Sequence, residues 1–298
     1  MTEAELLRGC IDPHLHVEPS LMDRYCDIVE AARLADAAGY RAIVHKDHHC
    51  SSAPVAHMVK SYLYPDSKLQ IFGSIALNNS VGGVSPTVVE AALSLGARIV
   101  WLPTASARNH IEFMQKEKVG FPKLKNGRSL QETPIRYTDD DGNLAPELEA
   151  VLQVIRMYPN VGIGMGHGSP DELDAVICRC AELGMIDRVF VDHPTEIVGA
   201  NLEQMKRWAA LGATIEFIAA QSCPPDYVLP IAELVGYIRI LTPQRVMLAS
   251  DMGMRKYGDP IAAYGRFLLE LYENGLSEEE IRLMSHDNAA RILGLDQQ

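Results

Sequence analysis

Gly9-Cys-Ile-Asp-Pro-His-Leu-His-Val17 is the stretch on which the choice of fold turns. It reads as a first β-strand, and its end carries Asp12, His14 and His16 where an open sheet would carry glycines. A doubly wound sheet needs a GxGxxG phosphate turn after its first strand. Without that turn, a closed barrel is the arrangement that the rest of the chain has to support.

Seven more short apolar runs follow: Ala42–Asp47, Leu69–Leu77, Arg98–Leu102, Val161–His167, Arg188–Asp192, Thr214–Ala219 and Arg245–Ser250. Amphipathic segments lie between them. Arg24–Ala38 stops at Gly39, Ser85–Leu95 at Gly96, Pro170–Leu183 at Gly184 and Asn201–Leu211 at Gly212. Glycine just past a helix is the expected left-handed stop. Strands alternating with helices imply parallel pairing through crossover helices. Eight such units in 298 residues predict an α/β fold, a (β/α)8 TIM barrel forming one domain over 1–298. Residues 105–145 break the repeat with a long polar stretch after strand 4, in which Thr138-Asp-Asp-Asp-Gly-Asn143 reads as a tight turn. Long loops in compact domains are often functional. This one is expected to be a lid-like insertion over the barrel mouth, with a plain surface insertion as the alternative.

Bulk properties narrow the partners. Net charge is −12, which disfavours nucleic acid and anionic membrane surfaces, since both are bound through lysine and arginine. No stretch approaches the roughly 18 uninterrupted apolar residues of a spanning helix. The six cysteines are scattered without CxxC pairs, and no basic-then-apolar leader is evident, so reduced thiols in a cytoplasmic protein are expected. Hydrophobic residues make up 47% of the chain, enough for a large core, so a metal would serve chemistry rather than folding.

Five strands end in metal-capable residues: Asp12-Pro-His14-Leu-His16, His45-Lys46-Asp47-His48-His49, Gly166-His167-Gly168, Asp192-His193 and Ser250-Asp251. Barrel active sites sit at these C-terminal strand ends. Strand residues i and i+2 point the same way, so His14 and His16 can face inward together while Leu15 faces the helices. Neutral imidazole suits zinc and similar ions, and a bound ion brings the pKa of water toward neutrality. Asp251 opposite them can bind metal or take a proton. Taken singly each residue has a plain structural use, Asp251 for instance as a helix cap. Their conjunction at the ends of strands one, five, six and eight points to a site.

The DPHLH box, the strand-ending GHG and DHP histidines and the final SDMG resemble the amidohydrolase superfamily, as does the tail Asn288-Ala-Ala-Arg-Ile-Leu-Gly-Leu295. The resemblance spans nearly the whole chain and is strongest to uncharacterised members with Lys-x-His on strand two and Trp-x-Pro-Thr on strand four. It implies His14, His16, His167, His193 and Asp251 as metal ligands, with Asp251 also shuttling protons. It implies one or two divalent ions, zinc first, with manganese or iron as alternatives. Strand four departs from the pattern. Val100-Trp101-Leu102-Pro103-Thr104 replaces the carbamylated lysine or glutamate that bridges two ions in many members. Lys46 and His48 share a face and could enter the site from strand two, Lys46 as a carbamate bridge or as an ammonium. Alternatively His45 and Asp47 face inward. Thr104 and His110 are candidates to touch substrate alongside Lys46 and His48.

The expected function is metal-dependent hydrolysis of a C–N or C–O bond in a small amide, lactam or lactone, with Asp251, His193 and Lys46 as catalytic residues. The alternative is a one-metal, non-hydrolytic decarboxylase or hydratase with His193 as acid/base. A phosphoesterase or nuclease is disfavoured, because Asp251-Met-Gly253 lacks an Asp-x-His ending and the chain is acidic. A catalytically dead scaffold would leave costly polar strand ends unused. Expected partners are a small-molecule substrate, no nucleic acid and no membrane. Oligomeric state is left open, with a homo-oligomer as one expectation.

Overall fold

A computed structural model of the chain describes residues 1–120 and 123–295. The expected insertion over 105–145 includes residues 121–122, and the expected domain over 1–298 also includes 296–298, which lie outside that range. Eight strands are present: β1 (Ile11–Leu15), β2 (Ala42–His45), β3 (Gln70–Ala76), β4 (Ala97–Trp101), β5 (Gly162–Gly164), β6 (Val189–Asp192), β7 (Thr214–Ile218) and β8 (Val246–Ala249). They pair in parallel in the order β1 to β8. β8 returns to β1 through Asp251 N–H to the His14 carbonyl (2.8 Å) and His16 N–H to the Met252 carbonyl (2.9 Å). The Asp12 carboxylate adds to this seam by accepting the backbone N–H groups of Ser250 (3.0 Å) and His14 (3.2 Å). Asp12 therefore braces backbone where β1 meets β8.

Two apolar layers hold the barrel. Ile11, Ala42, Val44, Ile99, Trp101, Phe190 and Met247 fill its interior, and the C-terminal helix Asn288–Ile292 packs Ala289, Ala290 and Ile292 against them. The N-x-A-x-x-L-G-L tail thus plugs the barrel floor, and the Asn288 amide ties it to the Pro243 and Val246 carbonyls (2.8 and 2.7 Å). The second layer lies between strands and helices and contains Leu15, Ile43, Ile75, Val100, Ile163, Val191, Ile215 and Leu248. Alternation along each strand sends one set inward and the other outward.

Most elements are shorter than the sequence reading by a residue or more, and two of these boundaries matter for the site. The helix expected over Arg24–Ala38 spans Ile28–Ala37. Asp27 caps it, its carboxylate accepting from the N–H groups of Val29 (2.9 Å) and Glu30 (2.8 Å), which leaves Arg24 in the loop above β1. The strand expected to reach His167 ends at Gly164. Gly166 turns there with φ +63°, and a Cβ on it would lie 2.5 Å from the Leu102 and Pro103 carbonyl oxygens. Among the described residues no helix is long and apolar enough to cross a membrane, and the six cysteines are free.

Candidate metal centre and its cavity

The site is built on turns that immediately follow strands. His193 after β6 and Asp251 after β8 have positive φ, 30° and 48°. Left-handed backbone is uncommon outside glycine, though histidine and aspartate tolerate it better than most residues. Here it swings both side chains back over the mouth. Gly253 is required for closeness: a Cβ on it would lie 1.8 Å from the His16 carbonyl oxygen.

The strand-end residues converge as two groups of would-be ligands. His14, His16 and Asp251 form one, and His167, Asp192 and His193 form the other, with ligand atoms in each within 4.8 Å of one another. In the first group Asp251 Oδ1 lies 2.9 Å from His16 Nε2 and 3.1 Å from His14 Nε2. In the second, Asp192 Oδ2 lies 3.8 Å from His193 Nε2 and 4.0 Å from His167 Nε2. Asp192 Oδ2 and His167 Nε2 are buried without a hydrogen-bond partner. An orphaned buried polar atom costs about 1–3 kcal/mol. Two ligands of one ion, with bonds of about 2.0–2.2 Å at tetrahedral angles, stand roughly 3.3–3.6 Å apart, so a few tenths of an ångström of closure would bring these atoms onto one ion. The second group therefore has the spacing and unmet bonding of a metal site, and its nitrogen-plus-carboxylate chemistry suits a divalent ion.

Lys46 stands between the groups. It is 1% exposed, and its Nζ is 2.9 Å from His14 Nε2, 4.0 Å from Asp192 Oδ2 and 3.8 Å from the Trp101 ring centroid. Trp101 is the last inward residue of β4, at the place where the family resemblance leads one to expect a bridging ligand. The facing position on β5 is Gly164, where a Cβ would meet Trp101 at 2.4 Å. A tryptophan face under an ammonium is a favourable contact. Lys46 and His48 line the cavity, whereas His45 and Asp47 do not.

Electrostatics leave three of the four histidines neutral and one charged. Burial holds His16 near 3 and His193 near 4, Arg24 adding to the first and Lys46 to the second, so both are neutral at pH 7. Burial likewise holds His167 well below its ordinary value. Burial works against a charged Asp251, but His14 and His16 outweigh it and keep the carboxylate ionised. Burial also opposes charge on His14, but Asp251 and Glu216 outweigh it and lift the imidazole to about 9. Burial lowers Lys46, against the attraction of Asp192, Asp251 and Glu216.

Two of these residues gained no role from the sequence. Glu216, the single charged residue of β7, is fully buried, and His14 Nδ1–H donates to it at 2.9 Å. A partner of this kind fixes which histidine nitrogen faces an ion. The signal was there: a glutamate in the middle of Thr214-Ile-Glu-Phe-Ile218 has no surface reason to be in a strand. Asp192 was visible as a strand end but was not assigned.

The groups open into a cavity of about 730 Å³ whose wall includes His16, Lys46, His48, His110, His167, His193 and Asp251. The segment 105–145 gives it His110 and Met114 from the helix Arg108–Lys116, and Lys123. His110 Nδ1 contacts His167 Nδ1 at 2.5 Å. Further along the segment Tyr137 is fully buried, its hydroxyl donating to the carbonyls of Pro103 (2.7 Å) and Met165 (3.1 Å). Thr104 is also fully buried and sits behind the wall, where its hydroxyl meets His48 Nδ1 at 2.9 Å. It reaches the cavity only through His48.

Residues 9–216 match the model of a family of unknown function, DUF6282. No curated protein matches the sequence. Solved structures with this fold include an amidohydrolase from Pseudomonas aeruginosa, 13% identical with TM-score 0.60, covering 98% of each chain. A 5-carboxyvanillate decarboxylase from Sphingomonas paucimobilis is 13% identical with TM-score 0.56, covering 97% of this chain and 99% of that one. A 2,6-dihydroxybenzoate decarboxylase from Rhizobium is 12% identical with TM-score 0.53, again covering 97% and 99%. At these identities the likeness is one of fold, the (β/α)8 barrel expected from the sequence.

Proposed function

Because the chain belongs to a family of unknown function, DUF6282, its activity has to be read from the cavity, and we propose a metal-dependent hydrolase of the amidohydrolase superfamily acting on a small molecule. The observation that carries this is the pair of three-residue groups, His14/His16/Asp251 and His167/Asp192/His193, which meet one cavity through His16, Asp251, His167 and His193. A divalent ion held there would supply Lewis acidity and make water nucleophilic at neutral pH. The bond cleaved is a C–N or C–O bond of an amide, lactam or lactone. Asp251 accepts the proton of the attacking water and passes it to the leaving group. Its Oδ1 is fixed by His14 and His16 while Oδ2 is turned toward His193, 4.0 Å away. Lys46 donates to the developing oxyanion from its seat on Trp101. Glu216 holds His14 in the tautomer that leaves Nε2 available for an ion. His48 and His110 contact the substrate, with Thr104 steadying His48, and the segment 105–145 covers the mouth.

A one-metal decarboxylase or hydratase is the second reading. It is favoured by Trp101 in place of a bridging group and by the Lys46 ammonium in the space between the groups. Metal analysis of the purified chain, paired with His14→Ala/His16→Ala, separates the two. About two equivalents in the native chain support the hydrolase, and about one, with carbon dioxide released from a carboxylated substrate, supports the second reading. No metal in either protein, even after reconstitution with zinc, manganese or iron, would sink both.

A further inference from the structure

Arg24 is the residue in the cavity wall that neither ligand group explains. It is 4% exposed and lines the cavity beside His16. Its guanidinium makes no ion pair among the described residues. Among the described residues its one side-chain hydrogen bond is from Nη2 to His16 Nδ1 at 3.4 Å, and Nε has no partner. Glu18, Asp47 and Asp251 attract it from farther away, but none pairs with it. The other cations of the wall are accounted for. Arg255 pairs with Asp23 at 2.7 Å, Lys256 with Asp226 at 2.5 Å, Lys46 rests on Trp101, and Lys123 is in solvent. A buried guanidinium without a carboxylate is costly unless something supplies one.

The loop that carries Arg24 is tied down through its backbone. Tyr25 N–H donates to the Gly253 carbonyl (2.8 Å), Ile28 N–H to the Glu18 carbonyl (2.8 Å) and Glu18 N–H to the Cys26 carbonyl (3.0 Å). The backbone from which Arg24 projects is therefore set before any ligand arrives, which lowers the ordering cost of binding. Met22, Met114, Ile197, Ile218, Val228 and Met254 give the same cavity an apolar side.

We propose that Arg24 anchors a carboxylate of the substrate, so that the cavity takes small organic acids with an apolar body. The inference rests on reading this cavity as the substrate site, but it does not depend on which reaction is run there. Arg–carboxylate pairs are charge-assisted and commonly bidentate, so a neutral amide of the same shape is discriminated against.

Titration calorimetry on the chelator-treated chain tests it with benzoate, phenylacetate and cyclohexanecarboxylate against the matching amides. The native chain should bind at least one acid roughly tenfold or more tighter than its amide, as one charged hydrogen-bonded pair implies. Arg24→Gln should lose that preference and Arg24→Lys should keep part of it, each with an unchanged far-ultraviolet circular dichroism spectrum. Equal binding of acid and amide by the native chain, no binding of any acid, or an acid preference that survives in a folded Arg24→Gln would overturn the assignment. Because these titrations are made without metal, failure of the metal reading shows separately, in the metal content of the untreated protein.

Discussion

The two ligand groups at the barrel mouth are built from the same residue types, yet they behave differently. On the β1/β8 side the ligand atoms meet one another: Asp251 Oδ1 is shared by His14 and His16, and His14 is held from behind by Glu216, so the atoms left without a partner, Glu216 Oε1 and Asp12 Oδ2, lie behind the ligands. On the β5/β6 side they do not. Asp192 Oδ1 accepts the Gly166 N–H at 2.8 Å, but Oδ2 and His167 Nε2 are buried with no partner. One group can stand closed without an ion, and the other carries a standing cost that an ion would remove. The first should therefore matter for the stability of the metal-free chain, and the second for its capacity to bind.

The largest effect is expected from Glu216→Ala. It strips the only partner from His14 Nδ1 and leaves a void in a fully buried strand. Breaking one member of a buried charged pair typically costs about 3–5 kcal/mol. A loss near the lower end is expected for the metal-free protein in urea unfolding. A change below about 1 kcal/mol would mean that the first group is not self-supporting and that the contrast between the groups is wrong.

Metal itself should have the next largest effect. Saturating the native chain at about 100 times Kd should add roughly 2.7 kcal/mol to its stability, and a chelator should take it away. The pH dependence has a definite sign. His14 is lifted to about 9 and must give up its proton to an ion, so binding should release a proton and strengthen from pH 7 toward 9, by up to about tenfold per unit. Isothermal titration at pH 7 and 8.5 in buffers of different ionisation enthalpy would read both effects. Affinity flat across that range would remove His14 from the ligand set.

The difference between the groups also explains which parts of the site could be read in advance. All eight strands and the stops at Gly39, Gly96, Gly184 and Gly212 were legible, because apolar periodicity and left-handed glycines are local signals. His14 and His16 were legible for the same reason, their i, i+2 spacing fixing a shared face. Glu216 was not assigned, because its meaning depends on His14, some 200 positions away in the chain. Arg24 was hidden by an apolar pattern that runs on into the loop, and only the Asp27 cap shows that the helix starts after it. The division of the ligands into two groups depends on left-handed turns at His193 and Asp251, which no spacing rule predicts.

The smallest and most discriminating effect belongs to Asp192→Asn. The amide can keep accepting the Gly166 N–H while removing the buried carboxylate charge, which burial already raises toward its protonated form. What it gives up is the attraction of Lys46 across 4.0 Å, a separation too long for a hydrogen bond. Desolvation relieved and attraction lost should nearly cancel, so metal-free stability should change by less than about 1 kcal/mol. Metal content after reconstitution should nonetheless fall relative to the native chain, because an amide is a poorer ligand for a divalent ion than a carboxylate. A loss of several kcal/mol in the metal-free state with metal content unchanged would reverse the assignment. Asp192 would then be the structural counter-ion of Lys46, and the β5/β6 side would be the closed half of the mouth.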